Sequence, residues 1–230
     1  MTEQDDTATG DRTTTGDRVD GDTSKHTTRG SHEGDTGDRI DGDAAPLTER
    51  PYEQRELRSA SSLVLVNTGD GKGKSTAAFG TILRALAQDW SVAVVQFLKS
   101  GDWHTGEEKT CRGLGVEWYS AGDGFTWDST DIDETKAKAV AAWEFAAGLV
   151  AAGNHRLVVL DEISYAMTWG WIDAADVAAA LAGRPERVNV VLTGRDMAAE
   201  VIEVADTVTE MVSVKHAFDG GIRAKKGIDY

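Results

Sequence analysis

The chain has 230 residues, of which 39 are Asp or Glu and 24 are Lys or Arg, giving a formal net charge of −15 at pH 7. Nucleic acid and anionic membranes both repel such a charge, so we exclude them as main partners. An acidic composition with only 10 lysines favours a protein adapted to high salt. An ordinary soluble acidic protein is the alternative.

The cysteine content and the hydropathy pattern indicate where the protein works. A single cysteine, Cys111, excludes an intramolecular disulfide and fits a reducing compartment. No apolar run approaches the ~20 residues of a membrane span, and the polar, acidic N-terminus is unlike a secretory or mitochondrial leader. We therefore expect a soluble, cytoplasmic protein.

Residues 1–50 differ from the rest of the chain in composition. They contain almost no large apolar side chain, carry a net charge of −7, and repeat themselves, with TGDRVDGD at 15–22 and TGDRIDGD at 36–43. A segment with so little apolar surface to bury cannot offset the entropy of ordering. We interpret residues 1–50 as a disordered acidic tail and residues 51–230 as one folded domain.

In the folded part, short apolar runs alternate with segments of helical periodicity. Strands are predicted at 61–67, 91–98, 116–121, 155–162, 187–194 and 206–214, and helices at 74–88, 131–153, 173–185 and 196–205. Glycine-rich loops are predicted after the second and third strands. Near-continuous Val and Leu runs are typical of strands buried on both faces, which predicts an α/β fold with a mostly parallel, doubly wound sheet. Ligands of such sheets bind at the carboxyl ends of the strands.

The first predicted strand leads into TGDGKGKS, residues 68–75. The usual phosphate loop, G-x-x-x-x-G-K-[ST], would have its first glycine at position 68, but Thr68 stands there and Gly69 follows one residue late. Backbone N–H groups at a strand-to-helix turn still converge on anionic oxygens, with Lys74 placed to neutralise phosphate and Ser75 to hold a metal ion. The motif indicates a sheet of the P-loop NTPase type; a glycine-rich turn with chance lysines is the alternative.

A second motif, LVVLDE, ends the fourth predicted strand with Asp161 and Glu162. An acid at the end of a neighbouring strand supports Mg²⁺ beside the loop hydroxyl in phosphate-loop proteins. A solvated strand end is the alternative interpretation. Together the two motifs predict binding of a Mg–nucleotide.

The sequence offers no obvious base or protein nucleophile for the reaction. His104 and His216 lie in predicted loops with no Ser or Cys motif nearby, and no Cys/His cluster has the spacing of metal ligands. This pattern favours a reaction in which the second substrate brings its own nucleophile. Trp103, Phe125 and Trp127 fall in the two glycine-rich loops, where they form either a lid over the sheet edge or a platform for a large flat ligand.

Taken together, these stretches resemble the phosphate-loop class of ATP:cob(I)alamin (corrinoid) adenosyltransferases. The resemblance covers about residues 62–230 and includes TGDGKGKSTAAFG, VVQFLKSGDW, GFTW, VVLDEISY, VVLTGR, ADTVTEM and VKHAFDGGIRAKKGIDY. The phosphate loop alone is common to many ATPases. Followed by GFTW and ending in GIDY, it is specific.

The resemblance implies transfer of the 5′-deoxyadenosyl group of ATP to Co(I) of a corrinoid, with release of triphosphate. The corrinoid would be cobalamin or a precursor such as cobyrinic acid a,c-diamide, in adenosylcobalamin biosynthesis or salvage. Mg²⁺, a flavoprotein or similar reductase that delivers the electron, and a homodimer are also implied. A P-loop ATPase or kinase acting on another acceptor is the alternative function, and a nucleotide-binding module without chemistry is a third.

The resemblance also assigns residues. Those implied to bind ATP are Thr68, Gly69, Gly71, Lys72, Gly73, Lys74, Ser75, Thr76 and Arg195. Ser75 and Glu162 would hold Mg²⁺, and Lys74 would act in catalysis with Phe125 and Trp127, which would lie under the corrin and exclude its lower axial ligand. The chain departs from the family at Asp70, where Asn is usual; a carboxylate there opposes triphosphate unless it points away or pairs with Lys72.

Overall fold

The computed structural model describes residues 57–100, 105–122 and 132–229. Within these residues six strands alternate with helices along the chain. The strands are β1 (Val64–Thr68), β2 (Val92–Ser100), β3 (Glu117–Gly122), β4 (Leu157–Asp161), β5 (Asn189–Thr193) and β6 (Thr207–Glu210). The helices are α1 (Lys74–Leu86), α2 (Gly106–Gly113), α3 (Ile132–Ala152), α4 (Ile163–Thr168), α5 (Ala174–Ala182) and α6 (Ala199–Val204), followed by a 3₁₀ turn at Phe218–Gly220.

The six strands form one parallel sheet in the order β3-β2-β4-β5-β1-β6. From β1 the chain crosses to β2 and the edge strand β3, then returns through β4 and β5 and ends at the opposite edge with β6. Helices cover both faces of this parallel sheet, which is the doubly wound arrangement. All strands therefore end at the same edge, so the loop after β1 and the segments after β4 and β5 gather there. β4 and β1 are separated by β5 alone, a distance of about 10 Å at the usual strand spacing.

Helices cover both faces of the sheet, which explains the unbroken apolar runs. β4 and β5 are buried at all five of their positions. Side chains that alternate along β4 enter different cores: Val158 and Leu160 pack with α3, α5 and α6, whereas Leu157 and Val159 pack with α1. Burial on both faces requires apolar residues at successive positions.

The structure confirms the α/β fold, the doubly wound parallel sheet and all six predicted strands. Two helices were missed. Residues 106–113 were expected to be loop because of their glycines, yet they form α2, where the Thr105 side chain accepts a hydrogen bond from the Glu108 N–H. The short helix α4, which follows β4 directly, was not predicted, and β6 ends at Glu210 rather than at residue 214.

Several expectations fall on residues that the structure does not describe. The tail at 1–50 lies outside the described residues, as do Trp103, Phe125 and Trp127. Their predicted roles stay predictions. None of the helices described is long and apolar enough to cross a membrane.

Candidate functional site

The loop between β1 and α1 has the backbone shape of an anion site. Gly73 precedes α1 in a left-handed conformation (φ 109°, ψ −5°), and no side chain caps the helix there. The first N–H groups of a helix have no partner within the helix, and they carry the positive end of its dipole. Ser75 and Thr76 occupy the first turn of α1 immediately after Lys74.

The displaced glycine has a structural cause. Thr68 is still part of β1: it is buried, and its Oγ1 accepts a hydrogen bond from the Met197 N–H at 3.2 Å. Gly69 is the first loop residue and takes a positive φ of 90°. A Cβ on Gly69 would lie 2.5 Å from the carbonyl oxygen of Met211. The glycine is therefore needed at position 69, where the loop begins.

The same loop is bound to the chain that leaves β6. The Gly71 N–H donates to the Met211 carbonyl at 2.6 Å, and the Met211 N–H donates to the Thr68 carbonyl at 2.8 Å. A Cβ on Gly71 would lie 2.8 Å from the carbonyl oxygens of Met211 and Val212. Close backbone approach accounts for the second glycine.

Lys74 is held inside the loop. Its Nζ donates to the carbonyl oxygens of Gly69 and Gly71, at 2.7 Å each. Burial lowers the pKa of the Lys74 ammonium and nearby Arg195 lowers it further, whereas the carboxylates of Asp70 and Glu162 raise it. Arg195, Asp70 and Glu162 therefore lie near Lys74, and all four of these charged residues were singled out from the sequence.

The exposed charges of the loop are paired with residues from distant parts of the sequence, and of the two arrangements left open for Asp70 the pairing with Lys72 does not occur. The Asp70 Oδ1 lies 3.3 Å from Nη1 of Arg195, which follows β5, and both side chains are at least half exposed. Lys72 instead forms an ion pair with Asp229 near the C-terminus. The backbone N–H of Lys225 and, secondarily, the Lys72 ammonium lower the pKa of Asp229.

The two acids after β4 have different environments. Asp161 is fully buried, and its two carboxylate oxygens accept hydrogen bonds from Gln96 Nε2 at 2.8 Å and Thr193 Oγ1 at 2.7 Å. Glu162 is only half-buried and adopts a left-handed conformation (φ 63°, ψ 22°) that begins α4. Of the predicted acid pair, only Glu162 is partly exposed, and its charge is near enough to the loop to raise the pKa of Lys74.

An aromatic row extends from the Arg195 side of the site. Tyr165 lies close enough to Arg195 for its charge to affect the Tyr165 pKa, although burial dominates and raises that pKa. The rings of Tyr165 and Trp169 are 5.6 Å apart, and those of Trp169 and Trp171 are 4.7 Å apart. A cavity of ≈ 280 Å³ is lined by Trp169, Trp171 and two residues of the first turns of α3, Ile132 and Thr135. In the sequence α3 follows residues 123–131, which contain Phe125 and Trp127 and lie outside the described residues.

Sequence reasoning missed several residues of this site. Gln96 and Thr193 are polar residues in otherwise apolar strands, which was a readable signal. Met211 and Asp229 contact the loop although they lie more than a hundred residues later in the sequence, so no local sequence pattern predicts these contacts. Among the described residues, no group of three or more His, Cys, Asp and Glu is arranged to hold a metal ion.

Comparison with known proteins identifies the family. The model of the family ATP:corrinoid adenosyltransferase BtuR/CobO/CobP matches residues 60–230. The chain belongs to this family. The match spans β1 to the C-terminal segment and so includes the phosphate loop, both acids after β4 and Arg195.

Individual relatives carry the family name. A corrinoid adenosyltransferase of Pseudomonas aeruginosa is 45% identical over 76% of this chain and 87% of its own length. That of Escherichia coli K12 is 37% identical over 80% of this chain and 100% of its own. The corrinoid adenosyltransferase CobA of Salmonella typhimurium is 40% identical over 73% of this chain and 85% of its own.

The packing of the loop against Met211 predicts the effect of Gly71→Ala. The new Cβ must push the loop away from the β6 exit, so we expect ATP to bind at least tenfold more weakly, measured by calorimetric titration. Gly80→Ala is the matched control, because nothing lies within 4 Å of an added Cβ in that helix. It should leave ATP affinity unchanged and stabilise the fold by about 0.5–1 kcal/mol. Equal affinities of Gly71→Ala and the unchanged protein would contradict this account.

The ion pair of Asp70 predicts a gain on Asp70→Asn. The change removes a carboxylate beside the loop and releases Arg195, so ATP should bind a few-fold more tightly at low salt. Because both groups are exposed, the gain should shrink in 1 M salt, where the Debye length is about 3 Å. Asp89→Asn, at the opposite end of α1, is the control for a change in overall charge. An unchanged or weaker affinity of Asp70→Asn at low salt would show that the carboxylate assists binding.

Proposed function

We propose that this protein transfers the 5′-deoxyadenosyl group of ATP to the Co(I) centre of a corrinoid and releases triphosphate. The observation that carries the proposal is the family match across residues 60–230, which contains the whole phosphate loop. Family membership disfavours the alternative, an ATPase or kinase acting on another acceptor. The corrinoid is cobalamin or a precursor such as cobyrinic acid a,c-diamide, and the reaction serves biosynthesis or salvage of adenosylcobalamin.

The proposed chemistry needs no protein base. The electron pair of Co(I) attacks C5′ of ATP, a cobalt–carbon bond forms, and the C5′–oxygen bond breaks with its electrons leaving on triphosphate. No proton is transferred at the reacting atoms. The protein has to align the two substrates and neutralise the charge of the leaving group, which are the contributions that a positioned, charged site supplies.

The cations of the loop are suited to that leaving group. Lys74 donates to two neutral carbonyl oxygens, and a phosphate oxygen is a stronger acceptor because its negative charge adds a Coulomb attraction to the hydrogen bond. Lys72 and Arg195 hold exposed carboxylates, Asp229 and Asp70, and water weakens such pairs. All three cations can therefore exchange their present partners for phosphate oxygens. The N–H groups of the first turn of α1 add to the same field.

We further propose that Ser75 and Glu162 hold Mg²⁺. A hydroxyl and a carboxylate are oxygen ligands of the kind Mg²⁺ prefers, usually together with phosphate oxygens and water. Glu162 is close enough to the loop for its charge to raise the pKa of Lys74, which supports its reaching the same phosphates. When bound, the ion would neutralise part of the triphosphate charge.

For the corrinoid, we propose that Phe125 and Trp127 form the platform under the ring and exclude its lower axial ligand. The aromatic row of Tyr165, Trp169 and Trp171 and the cavity beside the start of α3 support an apolar binding region close to the helix that follows these two residues in the sequence. A reductase, a flavoprotein or a similar protein, would supply the electron that makes Co(I) in the cytoplasm. We also propose, from the net charge of −15, that the protein is adapted to a cytoplasm of high salt concentration.

We also propose a homodimer. All four residues of the edge strand β6 are exposed, and five apolar side chains of the segment that follows are more than 60% exposed: Val212, Val214, Phe218, Ile222 and Ile228. Apolar surface of this extent is typical of contacts between proteins. Light scattering behind a sizing column measures the mass directly.

The decisive assay is an anaerobic incubation with ATP, Mg²⁺ and chemically reduced corrinoids, with cobalamin and the precursor in parallel. We expect intact triphosphate and a light-sensitive cobalt–carbon chromophore in equal amounts. Lys74→Ala should lower turnover on the order of 10²-fold, as removal of one charge-stabilising donor does elsewhere. Lys109→Ala, an exposed lysine of α2, is the control and should be silent. Formation of ADP or free phosphate instead would favour the ATPase or kinase.

The platform role predicts a split between two assays of Trp127→Ala. Without the aromatic ring the lower axial ligand returns to cobalt and Co(II) becomes harder to reduce. Adenosylation that starts from Co(II) and a reductant should therefore fall far more than adenosylation that starts from chemically made Co(I). Equal losses in the two assays would refute the axial-ligand role.

A further inference from the structure

A buried polar network crosses three strands beneath Glu162. Asp161 is the last residue of β4, and Gln96 lies opposite it on the neighbouring strand β2. Thr193 ends β5 on the other side. All three residues have no exposed surface. Polar residues in the middle of an apolar sheet are retained only with partners, because an unpartnered buried polar group is destabilising.

The direction of each hydrogen bond follows from the chemistry of the groups. The Asp161 carboxylate accepts from Gln96 Nε2 through Oδ2 and from Thr193 Oγ1 through Oδ1. Thr193 thus donates its one hydroxyl hydrogen to Asp161. Its Oγ1 can then act only as an acceptor, and it accepts the backbone N–H of Glu162 at 2.9 Å. By accepting the Thr193 hydroxyl hydrogen, Asp161 therefore leaves the Thr193 oxygen free to hold the backbone N–H of Glu162, the residue that follows Asp161.

The residue held in this way has an unfavourable backbone. Glu162 takes φ 63°, a left-handed conformation that is unfavourable for a residue with a Cβ. Such conformations persist where the surroundings over-determine them, and they are concentrated at functional sites. Glu162 is the one residue between the end of β4 and the start of α4, and its side chain is partly exposed whereas that of Asp161 is buried.

We propose that Asp161 is a positioning residue rather than a metal ligand: through Thr193 it holds Glu162 in the left-handed turn that presents the Glu162 carboxylate to the phosphate loop. Both Asp161 oxygens already have partners inside the sheet, and neither reaches the surface. The role of the Glu162 carboxylate at Mg²⁺ rests on the proposed function. The positioning itself does not.

The neighbouring Gln96 makes it possible to distinguish a positioning role of Asp161 from a role as a metal ligand. Its Oε1 is buried without a hydrogen-bond partner. In Asp161→Asn, the Gln96 amide can turn over so that Oε1 accepts from the new Nδ2, while the asparagine oxygen still accepts from Thr193. The network survives in that variant, although the negative charge is lost. A direct ligand would not tolerate the same change.

The test uses the full chain and a matched pair at Thr193. Thr193→Val keeps the shape but removes the hydroxyl, and Thr193→Ser keeps the hydroxyl. The first readout is hydrogen exchange of the Glu162 amide by NMR, with the amides of Leu160 and Leu192 as internal standards for an intact sheet. The second is the Mg²⁺ concentration that half-saturates the enhancement of ATP binding by the metal. Neither readout depends on adenosyl transfer, so failure of the proposed reaction would leave this test standing.

We expect Thr193→Val to speed exchange at Glu162 at least tenfold and to raise the half-saturating Mg²⁺ concentration about tenfold, the lower end of what loss of a residue that orients a ligand produces. Thr193→Ser and Asp161→Asn should stay within about threefold of the unchanged protein in both readouts. Two results would overturn the proposal. One is an unaltered Glu162 amide in Thr193→Val; the other is a loss of Mg²⁺ dependence in Asp161→Asn as large as in Glu162→Gln.

Discussion

The hydrogen bond from the Gly71 N–H to the Met211 carbonyl fixes the phosphate loop against the chain that leaves β6. This backbone contact requires glycine at two of the loop's three glycine positions, because a side chain at 69 or 71 would collide with Met211. It also explains why the first glycine comes late. Thr68 has to remain in β1, where its carbonyl accepts the Met211 N–H and its hydroxyl accepts the Met197 N–H.

The same contact links the loop to the end of the chain. Once Met211 is bound to the loop, the segment that follows passes close to it, and Asp229 reaches Lys72. The C-terminal segment therefore contributes to the charge around the phosphate loop. In a chain of net charge −15, the approach of ATP is opposed by the general field of the protein. Lys72, Lys74 and Arg195 form a small positively charged region in this acidic chain, and under the proposed function phosphate oxygens would replace their present acceptors.

The parts of this structure that sequence could predict are those set by local pattern. The strands follow from Val and Leu runs, and the anion loop follows from G-K-S-T between a strand and a helix. Helix α2 was also readable, since Thr105 and Glu108 have the spacing of an N-terminal cap, but the surrounding glycines favoured a loop. In contrast, the separate roles of Asp161 and Glu162 depend on one left-handed turn and on two neighbouring strands. The pairing of Lys72 with Asp229 joins residues 157 positions apart, which no local pattern records.

The two sides of the site differ in how firmly they are held, and this difference suits the proposed reaction. Gln96, Asp161 and Thr193 are fully buried and fixed by the register of three strands, so Glu162 has one defined backbone position before any substrate arrives. Lys72, Asp70 and Arg195 are on exposed loops with partners that solvent weakens. In the proposed reaction the leaving triphosphate gains charge as the C5′–oxygen bond breaks, and these cations can exchange their weakly held carboxylate partners for its oxygens. Salt should therefore act mainly on the cationic side, because the buried acid network is shielded from ions by the sheet itself.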